Sequence, residues 1–199
     1  MANYINRRFD GYLPIVIDIE TSGVDAQKNA ILEIAALTVD YDEAGLLTIK
    51  NNFACHVTPS EGARMDDAAM KITGIDPYHP FRFDVPENEA LTQLFDFAEN
   101  ALQVTQCRRA VLVGHNAHFD LSFILAAAKR CKMKKTPFHS FTVFDTATLS
   151  GLVYGKTVLA KALRLARLGF DKNEAHSAIY DAKQTAELFC LIVNRFARR

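Results

Sequence analysis

No stretch of this 199-residue chain approaches the roughly 18 consecutive apolar residues that a membrane-spanning helix requires, so no membrane partner is expected. Cysteine is scarce and scattered: Cys55, Cys107, Cys131 and Cys190 form no CxxC pair. That spacing argues against a zinc ribbon and suits a reduced, cytoplasmic protein. The opening residues MANYINRRFDGYLP carry Arg7 and Arg8 without an apolar run behind them, so a secretory signal is not expected. Repeats, low-complexity tracts and linkers are missing too, and one domain over residues 1–199 is the expectation.

The chain also lacks net charge, but the zero conceals a division. The first hundred residues hold 7 Lys and Arg against 17 Asp and Glu, whereas the remainder hold 16 against 6. Basic residues are densest between Cys107 and Lys135, where Arg108, Arg109, Lys129, Arg130, Lys132, Lys134 and Lys135 face only Asp120. Such asymmetry fits a polyanionic partner as readily as a solvated surface.

The apolar pattern alternates strands and helices. LPIVIDI (13–19), ILEIAALTVDY (31–41) and LLTIKNNFACHV (46–57) read as strands, with DEAG as a hairpin turn between the last two. DDAAMKI (66–72) predicts a short helix, closed by the turn residues of TGIDPYHP. Leu91, Leu94, Phe95, Ala98 and Leu102 predict a helix over 87–105. AVLVGH (110–115) is a short buried strand, followed by the helix FDLSFILAAAKR with Asn116 as its cap. FTVFD (141–145) predicts a last strand, and three helical segments complete the chain: TATLSGLVY, TVLAKALRLARL, and a long one from about Ser177. Three meandering strands followed by strand–helix alternation give an α/β fold with a ribonuclease H-like mixed sheet flanked by helices.

Acids interrupt this pattern at places that need explanation. In VIDIETSG, residues 16–23, Asp18 and Glu20 share one face of a strand, about 7 Å apart along the chain. Paired carboxylates in an apolar setting repel and resist desolvation, so positive charge is expected beside them. Asp120 lies in the first turn of a helix leaving a buried strand, and Asp181 lies near the start of the last helix. Strand ends and helix starts are where α/β folds gather ligands. Four carboxylates with at most one imidazole suit Mg²⁺ or Mn²⁺ better than zinc. Two such ions ~3.5–4 Å apart bridge a phosphodiester and stabilise attacking and leaving oxygens.

His176 stands five residues before Asp181, and on a regular helix the two would point about 140° apart. With Ser177 as N-cap, His176 sits on the preceding loop instead, free to act as a general base. Asp145, at the junction of a strand and a helix, reads as an N-cap and stays outside the metal set.

The ordered set DxE, HNxxFD and HSxxxD resembles the DEDDh 3′→5′ exonuclease family, and ILEIAAL, TGIDP, PFHSFTVFDTATLSGLVYGKTVLAKAL and AHSAIYDAKQTAELFCLIVNRF extend the likeness over nearly the whole chain. The resemblance implies two Mg²⁺ ions on Asp18, Glu20, Asp120 and Asp181, with His176 as general base. It also implies a cytoplasmic homodimer that trims single-stranded 3′ ends of tRNA, rRNA precursors and other stable RNAs, digests DNA 3′ ends, and releases nucleoside 5′-monophosphates. Arg8, Arg109 and Lys134 match a basic patch that serves the other subunit's active site. Phe119 and Phe141 match two base-stacking phenylalanines. Val24 and Ile72 stand where two more phenylalanines are expected, and Ala68 stands where a glutamate that reads the terminal base is expected, which leaves base preference open. A broader exonuclease and a catalytically silent nucleic-acid-binding module use the same residues; the complete set of five favours an enzyme.

Overall fold

The computed structural model describes residues 4–171 and 174–197. Its centre is β1 (Tyr12–Thr21), the middle strand of a five-stranded sheet. β2 (Ile31–Tyr41) pairs antiparallel with β1, and β3 (Leu47–His56) pairs antiparallel with β2. On the other side β4 (Arg109–Gly114) runs parallel to β1 and β5 (Phe138–Asp145) runs parallel to β4, giving the order β3-β2-β1-β4-β5. This is the mixed sheet read from the sequence.

Residues 13–17 of β1 and 34–39 of β2 are buried without alternation, which requires cover on both faces of the sheet. The long helix α6 (Ala178–Ala197) lies against β1, β2 and β3 and carries α4 (Thr146–Tyr154) and α5 (Leu159–Ala166). α2 (Glu87–Thr105) and α3 (His118–Arg130) pack on each other and on the sheet, while the short α1 (Asp67–Thr73) lies near β1. The edge strand β3 exposes Lys50, Asn51 and Asn52, polar side chains that protect the sheet's edge from further pairing. Among the described residues no helix is long and apolar enough to cross a membrane.

Two local expectations change, and a third holds. Helix α3 begins at His118 and takes Ala117, not Asn116, at its cap position, with no side chain capping it. Asn116 instead adopts a left-handed conformation (φ 71°) and donates its N–H to Asp145 Oδ1 at 2.9 Å. Strand β5 starts at Phe138, three residues before the predicted 141, because its pairing with β4 jumps from Ala110↔Phe138 to Leu112↔Val143. The extra residues bulge outward and hide the strand's period. Asp145 does cap α4, accepting from Ala147 N at 3.0 Å and Thr148 Oγ1 at 2.8 Å.

The turn after β1 is tied down by Asn29, which is 1% exposed. Its amide donates to Ser22 O, Arg64 O and Asp66 Oδ2 at 3.2, 2.8 and 3.2 Å, and accepts from Asp25 N at 2.9 Å. Gly23 passes so close that an added Cβ would collide with Asn29 and Asp66. The network couples residues 22–25 to the start of α1. Asn29→Ala leaves several of these groups unpartnered and is expected to lower stability by about 2 kcal/mol, read from chemical denaturation at unchanged m-value.

Candidate active site

The parallel pairing of β1 with β4 ends at Val16↔Val113. One residue further, at Gly114, β4 stops and the chain turns into α3, so Asp18 and Glu20 project beyond the last paired residues. The turn leaves the Ile19 N–H without a strand partner, and Asp120 takes it: Oδ1 accepts at 3.2 Å. A side chain from the first turn of α3 thereby replaces a strand, which brings the third carboxylate beside the first two. Gly114 makes room for this. A Cβ there would lie 3.0 Å from Ala117 Cα and 3.1 Å from Asp120 Oδ2.

The fourth carboxylate comes from α6. Ser177 lies just before the helix and its carbonyl accepts the Asp181 N–H at 3.0 Å, as an N-cap residue's should. His176 precedes it in an exposed turn with φ 68°, and its backbone N–H donates to Asp181 Oδ2 at 3.0 Å. Glu20, His176 and Asp181 each present one ligand atom, all within 4.8 Å of one another. The loop placement expected for His176 is the one found.

The electrostatics tie Asp18 and Asp120 to the same cluster. Burial, then the charges of Asp120, Glu20, Asp181 and Glu33, hold Asp18 well above the usual carboxylate range. Burial pushes Asp120 up to about 8, against hydrogen bonds that stabilise its charged form. Glu20 rises to about 7 through burial and the nearby Asp181 and Glu33. Asp181 is raised by burial, with the His176 N–H and imidazole pulling it back. Four oxygen ligands and one imidazole around a point of negative potential suit a hard divalent cation.

Sequence reasoning missed Glu33, which lies directly across from Glu20 on β2. Its signal was the one that exposed Asp18: an acid inside an apolar run, here ILEIAAL.

The substrate-contact candidates divide into groups. Phe119 is half-buried against Phe123, with ring centroids 5.0 Å apart. Phe141 stands on the β5 bulge at 73% exposure, edge-on to His139. Val24 and Ile72 are exposed large aliphatics, at 81% and 61%, and Ala68 is exposed on α1. Arg109 and Lys134 line one hollow of about 490 Å³ together with Arg108 and Lys135. Arg8 is not among the residues that line it; its guanidinium lies over the Phe9 ring, 5.1 Å from the centroid. Arg130, from the basic stretch read in the sequence, pairs with both oxygens of Glu87 at 3.0 and 2.6 Å.

The raised carboxylates set a pH dependence. Between about pH 4, where an unfolded Asp or Glu titrates, and about pH 8 for Asp120, the folded chain binds more protons than the unfolded one. Stability without divalent ions therefore falls as pH rises through that window. Asp120→Asn keeps an acceptor for Ile19 and removes one buried charge, so thermal melts in chelator should show a flatter pH slope and a higher Tm at pH 8. Equal slopes for parent and variant would contradict the arrangement.

The sequence profile of the family described as Exonuclease (RNase_T) matches residues 15–189. The chain is 51% identical over 193 residues to ribonuclease T of Vibrio cholerae, covering 96% of this chain and 86% of that enzyme. It is 50% identical over 194 residues to ribonuclease T of Photorhabdus laumondii, covering 98% and 89%. Among solved structures, a full-length 3′-exonuclease superposes with a TM-score of 0.69 at 18% identity, over 92% of this chain and 82% of that one. Escherichia coli exonuclease I in complex with a dT13 oligonucleotide gives 0.68 at 16% identity, over 94% and 42%. These two likenesses bear on the fold alone. The sequence match, over almost the full length and at half identity, shows that the chain belongs to the RNase_T exonuclease family.

Proposed function

We propose that this chain is a divalent-metal-dependent 3′→5′ exoribonuclease that trims single-stranded 3′ ends of tRNA and rRNA precursors, also digests DNA 3′ ends, and releases nucleoside 5′-monophosphates. The observation that carries the reading is the convergence of Asp18, Glu20, Asp120 and Asp181 with His176 beyond the end of the β1–β4 pairing, in a chain half identical to ribonucleases T. The residues fit the cofactor: every acid in the set is held above its usual range by burial, three of them also by one another's charge, so cations among them stabilise the whole group.

Asp18, Glu20, Asp120 and Asp181 would hold two Mg²⁺ or Mn²⁺ ions. When bound, these supply neutralisation of the terminal phosphodiester and Lewis-acid stabilisation of the developing charge. His176, exposed and beside Glu20 and Asp181, takes the proton of the attacking water. The water oxygen bonds to phosphorus as the P–O3′ bond breaks. The shortened strand keeps its 3′-oxygen, which is protonated as it leaves. The hydrogen bond from His176 N–H to Asp181 Oδ2 keeps base and ligand moving together.

Phe119 and Phe141 receive the final bases, and Val24 and Ile72 supply aliphatic contacts in place of stacking. In a homodimer, Arg8, Arg109 and Lys134 of one subunit hold the strand that enters the other's site. Four free thiols fit a cytoplasmic protein.

A 5′-labelled hairpin RNA with a short single-stranded 3′ tail tests the reading. With Mg²⁺ the parent should remove single nucleotides and stop near the duplex, and chelator should stop it. Asp18→Asn should fold normally and lose activity on the order of a thousandfold, about 4 kcal/mol of barrier. An Asp18→Asn protein at parental rate would remove the metal assignment. Base stacking on an aromatic contributes about 1–3 kcal/mol, so Val24→Phe with Ile72→Phe should lower KM for such tails roughly tenfold. An unchanged KM would mean that neither residue meets a base.

A further inference from the structure

Three titratable side chains form a row across the sheet. Glu20 on β1 is paired with Glu33 on β2, and Glu33 is paired with His56 on β3. Residues directly opposite one another in a sheet share a face, and two acids in that relation destabilise it. Glu33 lies in an otherwise apolar stretch of β2, between Leu32 and Ile34, and its side chain is 16% exposed. Packing alone does not call for a carboxylate there.

Its contacts indicate what the carboxylate does. Oε1 pairs with His56 Nδ1 at 3.1 Å, and Oε2 accepts the Ala178 N–H at 3.3 Å. Ala178 is the first residue of α6, so its N–H has no partner within the helix, and a helix N-terminus favours an anion. From that point the connections run directly into the site. Ser177 O accepts the Asp181 N–H, and Asp181 Oδ2 accepts the His176 N–H, both at 3.0 Å.

We propose that Glu33, held by His56, is a positioning residue that sets the first turn of α6 against β1, so that Asp181 and the His176 turn face Glu20. It acts through the backbone of Ala178 and touches no reacting atom. The consequence for catalysis rests on the exonuclease reading above, whereas the anchoring of α6 does not.

The test compares the full-length parent with Glu33→Ala, Glu33→Gln and Glu33→Asp, first without nucleic acid and then on a short RNA. Hydrogen exchange at the Ala178 amide reads the anchor, and Mn²⁺ titration followed by electron paramagnetic resonance reads the ligand geometry. Groups that orient metal ligands typically change affinity by about 10–100-fold when removed. Glu33→Ala should therefore bind Mn²⁺ at least about tenfold more weakly and exchange Ala178 about tenfold faster, with kcat on a short RNA falling while KM holds. Glu33→Gln still offers an oxygen to Ala178 and should stay within about threefold of the parent in both readouts. Glu33→Asp is one methylene short of spanning His56 and Ala178 and should resemble the alanine variant.

Parental exchange and parental Mn²⁺ affinity in Glu33→Ala would overturn the proposal, as would a glutamine variant as impaired as alanine. If Glu33→Ala does not fold, parental values in Glu33→Asp overturn it equally. A parent that binds no Mn²⁺ would instead overturn the exonuclease reading, and the exchange comparison would still decide the role of Glu33.

Discussion

The crowding of carboxylates into a site largely withdrawn from water is the constraint on which this structure depends. Burial, joined by the charges of Asp120, Glu20, Asp181 and Glu33, raises Asp18, and burial joined by Asp181 and Glu33 raises Glu20. No sheet would collect them unaided, and each is held by something that cannot easily move. β1 is clamped between paired strands on both sides. Asp120 accepts the Ile19 N–H of that same strand, and Asp181 accepts a backbone N–H from its own preceding turn. Asp120 and Asp181 also sit in the first turns of α3 and α6, where the helix N-terminus offsets part of their charge. The scaffold therefore holds an unfavourable electrostatic arrangement that divalent cations would relieve.

The same constraint organises the surface. A polyanionic strand is repelled by bare carboxylates and needs both cations in the site and basic residues away from it. Arg108, Arg109, Lys134 and Lys135 line a hollow formed where β4 begins and the chain enters β5, and would supply the second. The sheet thus carries acids beyond one end of β4 and bases at the other. In the proposed dimer the basic residues of one subunit would position a strand entering the other's acids, since phosphate contacts position a nucleic acid without reading its sequence. Phe141, Val24 and Ile72 are all exposed, as the base contacts proposed for them require.

Much of the site was legible because its chemistry conflicts with its surroundings. Asp18 and Glu20 interrupt an apolar strand at period two, and the helical angle between His176 and Asp181 required a loop for the histidine. Both inferences used only local geometry, and the structure has the same geometry. What stayed hidden depends on tertiary partners. Asn116 has a capping side chain, but Asp145 from β5 captures its N–H and the helix starts without it. The β5 bulge removes the alternation that would have marked residues 138–140 as strand. Glu33 carried the right signal, yet its neighbours Glu20, His56 and Ala178 meet only through strand pairing and helix packing. Arg130 looks like a member of the basic cluster in sequence, and the fold gives it to Glu87 instead.

The central claim is that cations complete this carboxylate cluster, and proton release on metal binding tests it most directly. Near pH 7 the cluster should hold bound protons, since Asp120 titrates at about 8 and Glu20 at about 7. A cation must displace them, because metal ligands bind deprotonated. Calorimetric Mn²⁺ titrations at pH 7, in buffers of differing ionisation enthalpy, count the protons released. The account predicts a clear net release that shrinks as pH rises past the Asp120 value. Tight binding with no proton release, or no binding at all, would contradict it.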